Sequence, residues 1–287
     1  MRVGCQAHVL KESYTRWASR QALAKLYTPD GSKARYPLAF LTNGGGVSEE
    51  RKAEQLSEWL SVHVIAPQVV LSHTPFKQLV PALGDKPVLI SGRGHVADVA
   101  RKYSELQIMM DVLTSKGVPG RRHTPQAAPP VEVFFSNPDL LWANEFPTPR
   151  FGQGAFAACL EALHEKMTGV PLQAKRVFGK PNPKPYELIE DLLLQQAREL
   201  GMEVGSPSGE LPFSSIYAVG DNPAADVRGA NRAGHPWVSV LVKTGVFDGT
   251  LYANCPNDPA HMVVDDVEAA VDAVLHRHRS ARWHSMR

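Results

Sequence analysis

YAVGDNPAADVRGAN, residues 217–231, is the stretch on which the reading of this chain turns. Ile216, Tyr217, Ala218 and Val219 form an apolar run of strand type that stops at Gly220, Asp221, Asn222 and Pro223. A buried strand that delivers a carboxylate at its C-terminal tip belongs to an open α/β sheet, where ligands bind beyond the carboxyl ends of the strands. Asp226 follows five residues later, within reach of the same point. Two carboxylates converging there would suit Mg²⁺, which takes a few carboxylates together with water and phosphate oxygens. The plain alternative is an Asx turn at Asn222 that caps a helix, with both acids solvated.

Composition narrows the frame. At 287 residues and 43% hydrophobic content the chain can bury one large α/β domain, with or without an inserted unit. A net charge of +2 argues for neither nucleic acid nor a membrane surface as partner. No apolar run approaches the roughly 20 residues of a membrane span. Cys5, Cys159 and Cys255 are too few and too scattered for a disulfide framework or a zinc site. Cys159, on a helical stretch, reads as a small core residue. Residues 1–27 carry five basic side chains, Arg2, Lys11, Arg16, Arg20 and Lys25, against one acid, Glu12. That bias fits an organelle transit peptide or an ordinary surface helix.

Outward from the opening stretch, other strand tips carry polar groups. Tyr36–Leu41 reads as a strand followed by Thr42, Asn43, Gly44, Gly45 and Gly46, a hydroxyl with open backbone N–H groups of the kind that cradles phosphate. Ser48 is placed to cap the next helix, with Ala53, Leu56, Trp59 and Leu60 at helical spacing. Shorter strands are expected at Val69–Ser72, Val88–Ser91 and Val131–Phe135, the last ending in Ser136, Asn137, Pro138 and Asp139. Helices are expected over 106–113, 154–168, from Tyr186 and from Val267, with a frayed basic tail from Arg277. Lys180 is held between Gly179 and Pro181, where its side chain can be aimed. Gly92, Gly94 and Ala97 match G-x-G-x-x-A after a strand, which opens a nucleotide-binding oxidoreductase reading; no second strand with an acid follows at the required distance.

Taken in order, strand–Thr42-Asn43, Gly179-Lys180-Pro181 and strand–Gly220-Asp221 with Asp226 resemble motifs two, three and four of the haloacid dehalogenase (HAD) superfamily of Mg²⁺-dependent phosphohydrolases. LTNGGG (41–46), SHTP (72–75), LQIMMDVL (106–113), SNPDLLW (136–142), PRFGQGAF (149–156) and VVDDVEAAV (263–271) resemble one branch, the cat eye syndrome critical region protein five family, also called haloacid dehalogenase-like hydrolase domain-containing protein five. Matches run from about residue 36 to 275. The resemblance implies a three-layer Rossmann-like α/β core with a mostly parallel sheet, in two parts, 1–103 and 176–287, around an inserted, shortened α/β cap at 104–175. It also implies that Thr42 and Lys180 stabilise the phosphoryl group, that Asn43 and Gly44 contact substrate, and that Asp221 and Asp226 serve Mg²⁺. The partner it implies is a small phosphorylated molecule, and the setting is mitochondria and glycerophospholipid metabolism.

One motif is missing. The D-x-D-G sequence that supplies nucleophile and acid/base in that superfamily should precede Thr42, yet residues 1–41 hold only Glu12 and Asp30, and neither ends an apolar strand. Asp30 lies in Thr28-Pro29-Asp30-Gly31, a turn signature. The chain also passes from Val99 to Leu106 without the further core strand and opening cap strands of the resemblance. Loss of the central motif-one strand would leave its neighbours' edges unpaired. Val3, Cys5, Ala7 and Val9 alternate in strand fashion, so residues 2–10 are a candidate for that slot. The expectations are a shortened phosphohydrolase with little or no activity, or a pseudoenzyme that binds a phosphorylated small molecule.

Overall fold

The computed structural model describes residues 9–83, 105–114, 131–142, 150–173, 175–202 and 212–285. The opening stretch forms β7 (Ile216–Gly220), which pairs in parallel with β8 (Trp237–Val242), itself parallel to β9 (Met262–Val264). Four of the five β7 residues are buried, because the strand has apolar neighbours on both faces. A second parallel pair, β1 (Phe40–Leu41) with β2 (Val69–Val70), carries the Thr42 loop. The strand expected over 36–41 is thus confined to its last two residues.

Alternate residues of both sheet pieces enter the same two layers. Phe40, Val69, Tyr217, Val219, Val240 and Val242 face one cluster. It is closed by the helices α1 (Val9–Leu26), α2 (Glu49–Leu60) and α7 (Val267–Ser285). Leu41, Val70, Ile216 and Trp237 face the other, closed by α5 (Lys184–Glu199) through Tyr186, Ile189 and Leu193, and by Ala230 of α6 (Arg228–Ala233). Helices on both sides of parallel strands make the three layers of an α/β Rossmann-like core. Among the described residues no ladder joins β1 to β7; the two sheet pieces share both side-chain clusters.

A third cluster is built from residues within 105–177. Parallel β3 (Val133–Phe135) and β6 (Lys175–Val177) pack on α3 (Glu105–Thr114) and α4 (Gln153–Thr168) through Met110, Leu113, Phe135 and Leu160. A short antiparallel hairpin, β4 (Leu141–Trp142) with β5 (Arg150–Phe151), leads from β3 into α4.

Three local expectations are corrected. Cys159 is exposed on α4, because that helix buries Ala157 and Leu160 instead. The segment from Arg277 is not a frayed tail, since α7 continues to Ser285. Val9 and Leu10 belong to α1, whose Ala18, Ala22, Leu23 and Leu26 are buried in the main core, so a strand over 2–10 cannot extend past residue 8. The expected strand Val88–Ser91, the Gly92–Ala97 pattern and Cys5 lie outside the described residues. Among the described residues no helix is long and apolar enough to cross a membrane.

The loop after β1 is tied down by α2. Ser48 caps it by accepting the Arg51 N–H at 3.3 Å. Glu49, 7% exposed, accepts the Thr74 hydroxyl at 2.8 Å and pairs with Lys77 Nζ at 2.9 Å. Burial pushes the Glu49 carboxyl up, but Lys77 and Thr74 outweigh it and hold the group below its ordinary value of 4.5. A depressed carboxylate contributes stability above its unfolded pKa and loses it as pH falls through the folded one. We therefore expect Glu49→Gln to flatten the loss of stability on acidification between about pH 5 and 3, measured by urea unfolding at each pH.

Candidate functional site

The carboxyl ends of β1 and β7 and the turn that opens α5 converge on Lys180. Its ammonium donates to Asp226 Oδ1 at 2.7 Å, with the two side chains only 2% and 3% exposed. A buried charge is tolerable only when paired and hydrogen-bonded, so this contact fixes where both groups can lie. Asp226 reaches the point because the chain leaves β7 in a wide π-helical turn, Pro223–Val227, capped by Asn222, whose side chain accepts the Ala225 N–H. The Asx cap offered above as the plain alternative is therefore present, and it positions the acid instead of excluding it. Asp226 Oδ2 accepts the Asn222 N–H at 3.0 Å. Gly220 is required beneath it, since a Cβ there would collide with the Asp226 carboxylate.

Asn43 holds the other side of Lys180. Its Oδ1 accepts the Lys180 N–H at 2.9 Å, and its Nδ2 donates to the Lys180 carbonyl at 3.1 Å. The same Nδ2 donates to Asp139 Oδ1 at 3.0 Å. Asn137 Nδ2 donates back to the Asn43 carbonyl at 3.2 Å, and its Oδ1 accepts the Asp139 N–H. The unit around α3 and α4 is thereby joined to the core through Asn137 and Asp139, which sequence reasoning noted at a strand tip but gave no role. The signal was available: Ser-Asn-Pro-Asp ends β3 as Thr-Asn-Gly ends β1.

Thr42 Oγ1 accepts the Gly44 N–H at 3.0 Å, a tight turn that leaves the Gly44–Gly46 loop at the strand tip. Asp221 ends β7 and is 9% exposed. Its Oδ2 accepts the Val246 N–H at 2.9 Å, and a Cβ on Gly245 would occupy that space. Asp221 Oδ1 has no hydrogen-bond donor among the described residues, and so is the open acceptor of the site. Asp226 differs: Lys180 and the Asn222 N–H take its two oxygens. Among the described residues no group of three or more His, Cys, Asp or Glu side chains is arranged to hold a metal. Asp30 lies elsewhere. It accepts from Thr28 and Ser32 in the turn before β1, at the opposite end of that strand from Thr42. Those hydrogen bonds hold its carboxyl down at about 2, and they engage it within its own turn.

Comparison with known proteins follows this geometry. A profile described as HAD-hydrolase-like matches residues 177–270, and one described as haloacid dehalogenase-like hydrolase matches residues 17–104. A protein of Saccharomyces cerevisiae named mitochondrial hydrolase YKR070W is 30% identical over 317 residues, covering 86% of this chain and 88% of its own length. The chain belongs to the haloacid dehalogenase-like hydrolases. A Schizosaccharomyces pombe protein named as a cardiolipin synthase (CMP-forming) and mitochondrial hydrolase fusion is 32% identical over 303 residues. This HAD chain spans 86% of itself but only 48% of that relative. Among solved structures, a thermostable NPPase from Geobacillus stearothermophilus superposes with a TM-score of 0.56 at 16% identity, covering 93% and 94% of the two chains. A 4-nitrophenylphosphatase from Thermotoga maritima gives 0.57 at 18% identity, covering 82% and 84%. A Mycobacterium tuberculosis glycerol phosphate phosphatase in complex with calcium gives 0.54 at 21%, covering 87% and 68%. At these identities the likeness is one of fold.

Removing one member of a buried pair strands the other. We expect Lys180→Met and Asp226→Leu each to lose roughly 3–5 kcal/mol of stability, and the double replacement of both to lose less than the sum. Urea unfolding of the four proteins measures this, and a neutral single variant would contradict the pairing.

Proposed function

We propose that this HAD chain binds a small phosphate monoester together with Mg²⁺ at the Thr42, Lys180 and Asp221 corner, and turns it over weakly or not at all. The observation that carries the reading is Asp221 at the tip of β7, whose Oδ2 is taken by the Val246 N–H and whose Oδ1 has no donor among the described residues. Asn43 and Gly44 contact the ester, and Thr42 hydrogen-bonds its phosphoryl oxygens. Lys180 shares its charge between them and Asp226, and Asp226 serves the metal indirectly by holding Lys180 and the Asn222 turn in place.

Electrostatics supports binding of metal and phosphate as a couple. Lys180 is already neutralised by Asp226, and Asp221 leaves the corner net negative, which opposes a phosphate dianion entering alone. One open carboxylate oxygen is also too little for a cage built by protein alone. It is enough for Mg²⁺, which keeps most of its waters and takes phosphate oxygens as ligands. When bound there, the ion would neutralise phosphoryl charge. The family's chemistry further needs an aspartate that attacks phosphorus and a second that moves the proton. Among the described residues, Asp139 is turned to Asn43, Asp226 to Lys180 and Asp30 to its own turn. The names of both fungal relatives support a mitochondrial setting, and the cardiolipin synthase fusion supports glycerophospholipid metabolism. Exposed Leu140, Leu141 and Phe151 on the hairpin after Asp139 suit an ester with an apolar portion. Family membership gives the oxidoreductase alternative no support.

Thermal unfolding tests this. Mg²⁺ alone and orthophosphate alone, each at millimolar concentration, should leave Tm nearly unchanged, while both together raise it by about 2–4 °C. Asp221→Asn and Thr42→Val should each abolish the joint effect. Hydrolysis of 4-nitrophenyl phosphate should stay near the buffer rate. Robust Mg²⁺-dependent turnover that is lost in Asp221→Asn would overturn the inactive reading while leaving the site in place.

A further inference from the structure

At the end of the sheet opposite Lys180, where β7, β8 and β9 begin, lies a cavity of about 470 Å³. Pockets for small molecules run from about 300 to 1,000 Å³. The cavity beside Lys180 and Asp226 is far smaller, at about 20 Å³. Each of the three parallel strands brings its entry segment to the lower cavity: Ser214 ahead of β7, His235 and Pro236 ahead of β8, Pro259 and His261 ahead of β9. Open α/β sheets bind their reacting ligands beyond the carboxyl ends of the strands, so this amino end is separate from the Thr42, Lys180 and Asp221 corner.

His261 is exposed, yet one side of its ring is fixed. Its Nδ1 accepts the Ser239 N–H at 3.2 Å and lies 2.8 Å from Ser239 Oγ. Ser239 is fully buried, and its Oγ accepts the His261 N–H at 3.1 Å and donates to Asn231 Oδ1 at 2.7 Å. Asn231 is held in turn, since its Nδ2 donates to the Pro259 carbonyl at 2.8 Å. A ring nitrogen that accepts a backbone N–H carries no proton of its own, so the neutral imidazole of His261 has its proton on Nε2. The ring therefore offers the cavity it lines an N–H donor. This tautomer does not suit a metal, which would take the Nε2 lone pair and leave the proton on Nδ1. His235, also exposed, brings a second imidazole to the same cavity, and Pro236, Val238 and Pro259 add apolar wall. Among the described residues that line it there is no carboxylate to repel an anion, and no lysine or arginine to match a dianion.

We propose that this cavity binds a small monocarboxylate, whose oxygens accept hydrogen bonds from His261 Nε2 and the His235 ring while its apolar body lies on Pro236, Val238 and Pro259. The site is independent of the Lys180 corner, and neither needs the other to be correct.

Backbone amide NMR of the unaltered chain, in EDTA and without phosphate, tests this with benzoate as the probe and benzamide as its uncharged counterpart. Benzoate should shift the Asn231, Ser239 and His261 signals saturably, with half-saturation at or below about 5 mM. Benzamide should bind at least about five-fold more weakly, because a hydrogen bond to a charged acceptor is the stronger one. His235→Ala should weaken benzoate about three-fold and His261→Gln about ten-fold. The proposal is overturned by the absence of a saturable shift, by shifts confined to the Thr42, Lys180 and Asp221 amides, by benzamide binding as tightly as benzoate, or by unchanged affinity in every variant that folds. The benzoate–benzamide comparison needs no variant, so it decides even where His261→Gln fails to fold.

Discussion

A buried ammonium sets the terms for the upper end of this molecule. Lys180 sits where solvent cannot reach, so it needs an anion at hydrogen-bond distance, and Asp226 is the side chain that arrives. Several otherwise unrelated features follow from that demand. The chain must turn widely after β7, residue 220 must lack a side chain, Asn222 must cap the turn, and Asn43 must hold both backbone groups of Lys180. These contacts tie the two sheet pieces and the α5 turn to one point. Asp139 and Asn137 extend the tie to the smaller unit.

The same pairing shapes the chemistry available. A lysine whose charge is already matched does not by itself attract a phosphate dianion, and Asp221 adds a further negative charge beside it. On the function proposed above, the corner takes an anion that brings a cation with it.

Lower down, the core is held by apolar contact shared between the two sheet pieces. Tyr217 and Val219 share a cluster with Phe40, and Ile216 shares the other with Leu41, so side-chain packing joins the two pieces on both faces. Hydrophobic burial is non-directional, so it joins elements that share an apolar face without fixing how their backbones pair. The layers of the α/β fold depend on which faces are apolar, whereas its chemistry depends on which strand occupies the centre.

The apolar runs ending in Asp221 and Thr42, the stripes of α2 and α5, and the parallel α/β class were all legible in the residues, because strand and helix periodicities are local. Family kinship was legible too, as an ordered set of short motifs at strand tips. Cys159 was misread because one residue on a helix does not say which way it faces. Asn137 and Asp139 went without a role because their partner, Asn43, lies more than 90 positions away. By itself the sequence determined the elements, their class, and the absence of an acid on a strand before Thr42. Only the tertiary structure decided that Asp226 belongs to Lys180, that Asp221 keeps an oxygen without a donor among the described residues, and that β1 and β7 feed the same two clusters. Each of these is a relation between distant residues, set by burial and charge pairing, which no local pattern encodes.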